Sequence, residues 1–529
     1  MCYNKCMSTE NIALPNDVNE LKELFVETLQ HYETEIKLLK EEINILRHRL
    51  FGRKSEKLPV GNGQLFLFNE AEQIEAVAEL TEPKEDIEVP AHRRHKPGRK
   101  PLPADLPRID KIHDISEEEK ICACGTEKSR IGEEVSEQLD IIPPKVQVIR
   151  NIRPKYVCKN CEGVEADEPA VTIAELPEQI IPKSIATPGL LAYIISAKYV
   201  DGLPFYRQQF GLERYGVDIS RQTLCSWAIK VADKCKPLLD LLKTEIQSGP
   251  LINADETTVQ VLKEPGREPA TKSYMWIFRG GQVEKPALMY QYHMTRSGQV
   301  AKEFLGDYEG YVQTDGYLGY DFLEQMPGIV HLGCWAHVRR KFVEVLNTAG
   351  RPKKGTKKVG SSDVALDYIR KLYVIEKEFR ERELSCEQIR HERQARASPI
   401  LEEFKGWLDK RSVQVPPKSI LGKAISYALG QWDRLTVYIN DGILRPDNNL
   451  AENAIRPFVV GRKNWLFSAT QEGAWASAAL YSLIETAKAN HLEPYWYLRY
   501  LFDKLPLAKT TEDYKALLPL YVDRDQIGR

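Results

Sequence analysis

Apolar positions near the N-terminus recur in alternating steps of three and four residues. This heptad seam consists of Leu29, Tyr32, Ile36, Leu39, Ile43, Leu46 and Leu50. Isoleucine facing leucine in this order favours a two-stranded parallel coiled coil, so residues 8–60 are predicted to be a leucine-zipper-like dimerisation helix. A helix packed on its own chain would give the same pattern over so few heptads. Dimerisation is favoured because the next segment, 61–112, mixes Gly, Pro and charge like a linker and offers no apolar partner surface.

After Pro250 the pattern changes to short β-rich runs separated by turn residues. Strands are predicted at 251–262, 273–280, 287–294, 310–317 and 329–335, with a helix at 298–308 before the fourth strand. Three antiparallel strands, a helix and a further strand is the order of the ribonuclease-H-like fold. In that fold the first and fourth strands are neighbours. The expected fold class is therefore multidomain α+β, with a ribonuclease-H-like domain at about 246–480.

Helical, charged patterns fill the rest of the C-terminal half. The stretches 361–403 and 420–438 predict a mainly helical insertion at about 343–445, and 481–529 is expected to be a C-terminal helical domain. Cys334 and His337 lie one helical turn apart near the start of this insertion. They could begin a metal site, but the sequence contains no second pair, and support of the core is the favoured interpretation.

Residues 206–232 have the spacing of a helix–turn–helix within a helical domain at 170–245. A first helix is expected to end near Arg214, with Gly216 in the turn and Ser220 as the cap of the second helix. The start of the second helix is where such motifs read base edges in the major groove. The residues there are Arg221, Gln222 and Thr223. An ordinary packing hairpin is the alternative.

The net charge of the 529-residue chain is only −2, so composition alone does not indicate a DNA-binding protein. The charges are segregated, however, because residues 70–88 carry eight acidic side chains and 93–100 and 351–358 each carry five Lys or Arg. Such runs are either solvated loops or phosphate contacts. DNA contact is predicted for the linker cations Arg93, Arg94, Arg99 and Lys100, and for Arg456, Arg462 and Lys463 further along the chain.

The N-terminus lacks the apolar core of a secretion signal, and Met7 is an alternative start. No apolar run approaches the roughly 20 residues that a membrane helix needs. A cytoplasmic protein without membrane partners is expected, with its ten cysteines as thiols rather than disulfides.

Four of these cysteines form two close pairs in a small domain at 113–168. Cys122 and Cys124 make the first pair, and Cys158 and Cys161 make the second. Thiolates so spaced can close one tetrahedral, structural Zn²⁺ site at two turns joined by strands. The first pair has one intervening residue where two are usual, so His113 is a candidate substitute ligand. Four unligated cysteines in a small β unit are the alternative, although so short a segment has too small a core to be stable without a cross-link such as a bound metal ion.

Three carboxylates are candidate catalytic residues. Asp255 and Asp315 lie at the ends of apolar runs in the first and fourth predicted strands, and Glu452 lies on a helix predicted from about Asp447 to Pro457. Individually, each Asp could form a turn or cap a helix, and Glu452 could pair with Arg456 on the surface. Together they suit phosphodiester chemistry with two Mg²⁺ ions. Asp255 would bridge the ions, and Asp315 and Glu452 would each bind one.

Several stretches resemble the insertion-sequence-sixty-six family of bacterial DDE transposases. They are DET (255–257), TDGY (314–317), CWAHVRRKF (334–342), NNLAENAIRP (448–457), LFGRKSEK (50–57), KPGRKPLPADLPR (96–108), IGEEVSEQLD (131–140), RKNWLF (462–467) and ETAKANHLEPYWYLRYLFDKLP (485–506). The resemblance covers nearly the whole chain. It implies a leucine-zipper-like helix, a zinc-binding domain, a helix–turn–helix and a DDE core.

The resemblance assigns the family's acidic triad to Asp255, Asp315 and Glu452, and its zinc ligands to the four paired cysteines. It implies a nucleoid-associated bacterial protein that acts on element ends and target DNA as a dimer or higher oligomer, with accessory proteins of the same element as further partners. A nuclease or resolvase that cuts without joining, and a DNA-binding repressor on an inactive core, are the competing hypotheses. The intact acidic positions disfavour the repressor, and the coiled coil favours joining.

Overall fold

The computed structural model describes residues 17–51, 146–157, 171–348 and 360–527. The chain divides into two compact units, Met1–Thr81 with Leu176–Arg529, and Glu82–Glu175. In the second unit, β1 (Lys155–Val157) pairs antiparallel with β2 (Val171–Ile173).

Several predicted features lie outside the described residues, so their predictions stand as made. Two of them are segments, the linker 61–112 and the basic run 351–358. The others are the predicted zinc ligands and their candidate substitute, namely Cys122, Cys124, Cys158, Cys161 and His113. Strand β1 lies in the stretch predicted to contain strands between the two cysteine pairs, whereas its partner β2 lies beyond the predicted end of the small domain at residue 168.

The N-terminal heptad pattern forms one helix, α1 (Val18–Phe51). Six side chains of the predicted seam are large, apolar and 47–57% exposed in the single chain, namely Leu29, Tyr32, Ile36, Leu39, Ile43 and Leu46. Apolar side chains spaced in this way normally become buried against another helix. The seam is therefore a surface that the single chain leaves largely uncovered.

Within residues 171–250, four helices lead to the sheet, α2 (Pro188–Tyr199), α3 (Phe205–Glu213), α4 (Arg221–Lys234) and α5 (Lys236–Gln247). The turn between α3 and α4 contains Gly216 at φ +77°, a backbone conformation that favours glycine. Ser220 then caps α4, because its side chain accepts a hydrogen bond from the Thr223 N–H. The predicted helix boundaries and cap in this segment are confirmed.

The central sheet has the strand order β5-β4-β3-β6-β7. Its strands are β3 (Leu251–Lys263), β4 (Lys272–Gln282), β5 (Lys285–His293), β6 (Gly310–Gln313) and β7 (Ile329–Leu332). The first three are antiparallel, whereas β6 pairs parallel with β3 and β7 parallel with β6. The first and fourth strands of the sheet are thus neighbours, as predicted. A short sixth strand, β8 (Ser468–Thr470), pairs with the far end of β3.

One face of the sheet is covered by α5 and by α6 (Gly298–Leu305), which connects β5 to β6. The ring of Phe304 in α6 stacks on that of Phe278 in β4, with 3.7 Å between ring centroids. A 3-10 helix, Leu318–Gln325, connects β6 to β7. The predicted fourth strand ends early, because the chain turns after Gln313 toward this 3-10 helix.

After β7 the chain enters a helical segment with its own apolar cluster. Its helices are α7 (Trp335–Thr348), α8 (Ser361–Glu381), α9 (Cys386–Glu392), α10 (Ser398–Ser412), α11 (Ile420–Gly430) and α12 (Trp432–Thr436), with a π-helical turn at Arg393–Ala397. The two ends of this segment meet, since the Trp335 N–H donates to Pro446 O at 2.9 Å. The segment therefore leaves and rejoins the sheet at one narrow neck.

The next helix, α13, spans Asn449–Trp465 and packs Ala451, Ile455 and Phe458 against the sheet. The predicted end of this helix at Pro457 is wrong, since Pro457 lies inside the helix. Proline removes one backbone hydrogen bond, but the helix stays continuous because Ile455 and Phe458 on either side of it are buried.

Three helices complete the chain, α14 (Gln471–Ala489), α15 (Pro494–Lys504) and α16 (Thr511–Ala516). α14 packs along β5, and α15 packs on α2. Within the described residues, every helix is too short or too polar to cross a lipid bilayer.

Candidate active site

Asp255 is positioned by the alternation of side chains along β3. Ile252 and Ala254 point into the apolar core, so Asn253 and Asp255 share the opposite face of the strand. The backbone N–H of Glu256 donates to Asp255 Oδ1 at 2.8 Å, which fixes the carboxylate. The first predicted carboxylate is thus held on the sheet itself.

Asp315 lies two residues beyond the end of β6, the parallel neighbour of β3. Asn253 and Gln313 are paired across the two strands, so two further steps along each chain bring Asp255 and Asp315 to the same edge. Asp315 Oδ1 accepts the N–H of Tyr317 at 2.9 Å in a tight turn.

Glu452 comes from the first turn of α13, where its N–H donates to Asn448 O at 3.1 Å. Its side chain is 23% exposed and faces α7. There His337 Nδ1 lies 3.5 Å from Oε1, and Arg340 Nη2 lies 3.4 Å from Oε2. Arg340 of α7 thus pairs with this carboxylate, and the ring of His337 lies beside it.

The three predicted carboxylates lie close enough to interact electrostatically. Burial raises the pKa of Asp255 well above its ordinary value, and the charges of Glu256, Glu452 and Asp315 raise it further. Carboxylates that disfavour each other's ionisation suit a divalent cation, because its charge offsets the repulsion. This donor set of oxygen atoms therefore fits Mg²⁺.

Sequence reasoning missed a fourth acidic group, Glu256, whose side chain is only 1% exposed. Arg296 Nε donates to it at 2.6 Å, and the Tyr320 hydroxyl donates at 2.6 Å. The same guanidinium lies 4.0 Å from Asp315 Oδ2 and stacks 3.7 Å from the centre of the Tyr317 ring. Arg296 therefore links a buried ion pair to the edge of the carboxylate site.

The pair of Cys334 and His337, for which the sequence offered no partner, lies beside Glu452. One ligand atom from each of these three residues lies within 4.8 Å of the other two. Burial raises the pKa of the Cys334 thiol, and the Asn448 N–H donates to its Sγ at 3.2 Å. The cluster is thus a further candidate set of metal ligands, contiguous with the carboxylate site.

The residues predicted to read DNA occupy the start of α4. Arg221 and Gln222 are exposed, and Thr223 is half-buried. Gln209 of α3 accepts the Arg221 N–H at 2.9 Å, which ties the two helices together. The start of α4 therefore presents Arg221 and Gln222 to solvent.

The remaining residues predicted to contact DNA differ in how exposed their side chains are. Lys463 is exposed and Arg456 is half-buried on α13. Arg462 Nη1 already donates to Thr258 Oγ1 of β3 at 3.1 Å, and burial lowers its pKa. The linker cations Arg93, Arg94, Arg99 and Lys100 lie outside the described residues.

Comparison with known proteins gives one consistent result. A family model described as "Transposase IS66 family" matches residues 183–476. Models described as "Transposase C of IS166 homeodomain", "zinc-finger binding domain of transposase IS66" and "IS66 C-terminal element" match 38–110, 119–162 and 482–520. The zinc-finger match contains all four predicted zinc ligands, Cys122, Cys124, Cys158 and Cys161.

Similar full-length proteins occur in Sinorhizobium fredii. "Uncharacterized protein y4jD" is 31% identical over 99% of this chain and its own whole length. "Uncharacterized protein y4qI" is 30% identical over 92% of this chain and 89% of its own. The family models and the full-length similarity agree, and the chain belongs to the IS66 family of transposases.

Proposed function

We propose that this protein is a DNA transposase that binds the ends of an insertion sequence, cleaves the DNA and transfers the 3′-hydroxyl ends to target DNA. Family membership supports transposase function, and the proposed chemistry rests on one observation. Asp255, Asp315 and Glu452 come from a strand, a turn and a helix, and the charges of Asp315 and Glu452 both raise the pKa of Asp255. The strand order of the sheet supports a ribonuclease-H-like core.

We assign Asp255, Asp315 and Glu452 as the ligands of two Mg²⁺ ions. When bound, the ions supply a more acidic water or 3′-hydroxyl and neutralise the leaving 3′-oxygen in an in-line displacement. The protein's own contribution is to hold three carboxylates at one edge and to keep Arg296 beside them. Arg296 limits the excess negative charge there, because it is paired with Glu256 and lies near Asp315.

The other modules suit the handling of two DNA ends. We propose that the exposed seam of α1 pairs with a second copy as a coiled coil, which would bring two active sites together. The helix start at Arg221, Gln222 and Thr223 would read base edges. Phosphate contacts would come from Arg93, Arg94, Arg99, Lys100, Arg456, Lys463 and, after release from Thr258, Arg462.

The small domain would carry a structural metal. We propose one Zn²⁺ held by Cys122, Cys124, Cys158 and Cys161, in support of which the zinc-finger family model spans all four positions. The single residue between Cys122 and Cys124 keeps His113 open as a substitute ligand. Such a site would stabilise a segment that has too few apolar residues for a core of its own.

The test uses the full chain, Mg²⁺ and DNA that carries the element's own ends. Asp255→Ala, Asp315→Ala and Glu452→Ala should each abolish cleavage and joining but retain end binding. Glu472→Ala is the matched control, since Glu472 is an exposed acid at the start of α14 and should remain active. Cleavage without joined products would indicate a nuclease, and end binding without cleavage by the wild type would indicate a repressor.

A further inference from the structure

Three amide side chains lie buried beneath the carboxylate site. Asn253 of β3 is 1% exposed, Gln313 of β6 is 0% exposed, and Asn448 at the cap of α13 is 1% exposed. Buried amides are costly unless their donors and acceptors are paired, so their presence here needs a physical reason.

The position of each amide in the sequence provides that reason. Side chains two apart in a strand and four apart in a helix lie on the same face. Asn253 lies two residues before Asp255 on the same face of β3. Gln313 is the last residue of β6, two before Asp315, and Asn448 is the N-cap residue of α13, four before Glu452. The amides therefore form a layer of the same three elements, one step below the carboxylates.

The three amides are bonded to one another. Asn253 Nδ2 donates to Gln313 Oε1 at 2.9 Å and to Asn448 Oδ1 at 3.0 Å, so it connects both other members. Asn448 Nδ2 donates to Ala254 O at 2.9 Å, between the Asn253 and Asp255 side chains on β3. The layer thus fixes the spacing of β3, β6 and the start of α13.

The outer bonds of the layer reach the neck of the helical segment. Gln313 Nε2 donates to Arg445 O at 2.9 Å and to Gly333 O at 3.1 Å. Asn448 O accepts the Glu452 N–H, so a displacement of Asn448 would move the first turn of α13 and its carboxylate. The main chain on either side of the site is therefore tied to the same three side chains.

We propose that Asn253, Gln313 and Asn448 act as one positioning unit that sets the mutual spacing of the three carboxylates and thereby their affinity for divalent metal. The inference rests on the proposed function, because it concerns the same site. The amides act on the carboxylates through the main chain, because their hydrogen bonds hold β3, β6 and the start of α13 at fixed distances from one another. Since the members share bonds, loss of any one should disturb all three carboxylates.

The test measures Mn²⁺ binding to the full chain by the paramagnetic resonance of free Mn²⁺, and cleavage as a function of Mg²⁺ concentration. Asn253→Ala and Asn448→Ala should each weaken metal binding about 10-fold, the lower end of the range for direct partners of metal ligands, because these amides act through the main chain. The double variant should be little worse than either single variant, because the residues act as a unit. Cleavage should recover partly as Mg²⁺ is raised.

Asn490→Ala is the matched control. Asn490 is also a buried amide, and its Nδ2 donates to Pro286 O and Thr486 O, each at 2.8 Å, away from the carboxylates. It should lower the thermal midpoint but leave the metal dependence unchanged. Gln313→Met keeps the approximate size of the side chain and removes its hydrogen bonds without adding charge, so it tests the unit if the alanine variants fail to fold.

The outcomes separate the two proposals. If Asp255→Ala abolishes cleavage while the Asn253, Asn448 and Gln313 variants bind Mn²⁺ as Asn490→Ala does, the positioning unit is overturned and the proposed function stands. If Asp255→Ala still cleaves DNA, the proposed function fails. Weaker Mn²⁺ binding in the amide variants than in the control, together with loss of cleavage in Asp255→Ala, supports the positioning unit.

Discussion

The helical segment is anchored by Arg393, whose side chain is only 2% exposed. Its Nε and Nη2 donate to Glu376 at 2.8 and 2.7 Å. Its remaining N–H groups donate to three main-chain carbonyls just before α13, at Tyr438, Asp441 and Leu444. All five donors of the guanidinium are therefore used.

Replacement of Arg393 by Met should be among the most damaging changes in this segment. It leaves the carboxylate of Glu376 buried without its partner, which costs about 3–5 kcal/mol. Each carbonyl that loses its donor adds about 1 kcal/mol or more. Together these contributions are about 6–8 kcal/mol, a large part of the roughly 5–15 kcal/mol by which domains are typically stable.

The assay is urea unfolding of the purified chain, combined with hydrogen exchange of residues 437–444. Arg393→Met should lower the free energy of unfolding by about 6 kcal/mol or more and remove protection from this stretch. Adding Glu376→Gln should restore part of the loss, because it removes the buried charge but not the unpaired carbonyls.

Arg396→Met is the matched control within the same π-helical turn. Arg396 pairs with Glu378 at 2.7 Å, but both side chains are more than a third exposed. Such surface pairs contribute about 0–1 kcal/mol. Equal losses of unfolding free energy in the Arg393 and Arg396 variants would refute the reasoning from burial.

Three further predictions concern pH, metal and DNA. Burial and the nearby Arg434 lower the pKa of His331 to about 3. The contribution of the neutral imidazole to stability is therefore full above about pH 6.5 and falls as the pH drops toward 3, by about 2 kcal/mol between pH 7 and 5. Urea unfolding of His331→Gln should accordingly show a flatter pH dependence than that of the unsubstituted chain. Chelation should remove one Zn²⁺ and unfold residues 113–168, Cys158→Ser should do the same, and metal analysis that finds no zinc in protein purified without chelator would contradict this. Arg221→Ala should cost roughly 1–3 kcal/mol on specific ends only, whereas Arg94→Ala should weaken all DNA alike and flatten the salt dependence; gel shifts with specific and scrambled ends at two salt concentrations separate the two.

The sheet was predictable because its strands are rich in apolar and β-branched or aromatic residues and are separated by turn residues. The neighbouring positions of the first and fourth strands followed from the order of elements, so Asp255 and Asp315 could be expected to meet. The length of α13 was not predictable in the same way. Pro457 is a strong local signal to stop, and only the packing of the flanking residues on the sheet overrides it.

The supporting polar groups were missed for a different reason. Glu256 directly follows Asp255, and the alternation along β3 sends its side chain to the other face, where Arg296 and Tyr320 meet it from distant parts of the chain. The buried amides likewise look like ordinary polar residues in the sequence. Only the three-dimensional arrangement distinguishes a side chain that supports the site from one that faces solvent.

The narrow neck of the helical segment has a consequence for how relatives of this protein can diverge. Because the two ends of the helical segment are joined by the Trp335–Pro446 hydrogen bond, the length of the segment can change while both ends stay in place beside the sheet. Closing a longer excursion costs little extra entropy, only about 0.6 kcal/mol per doubling of length. Insertions should therefore accumulate between residues 343 and 445 without shifting the register of β3 and β6, whereas deletions that remove Arg393 and its bonds to the chain before α13 should be rare.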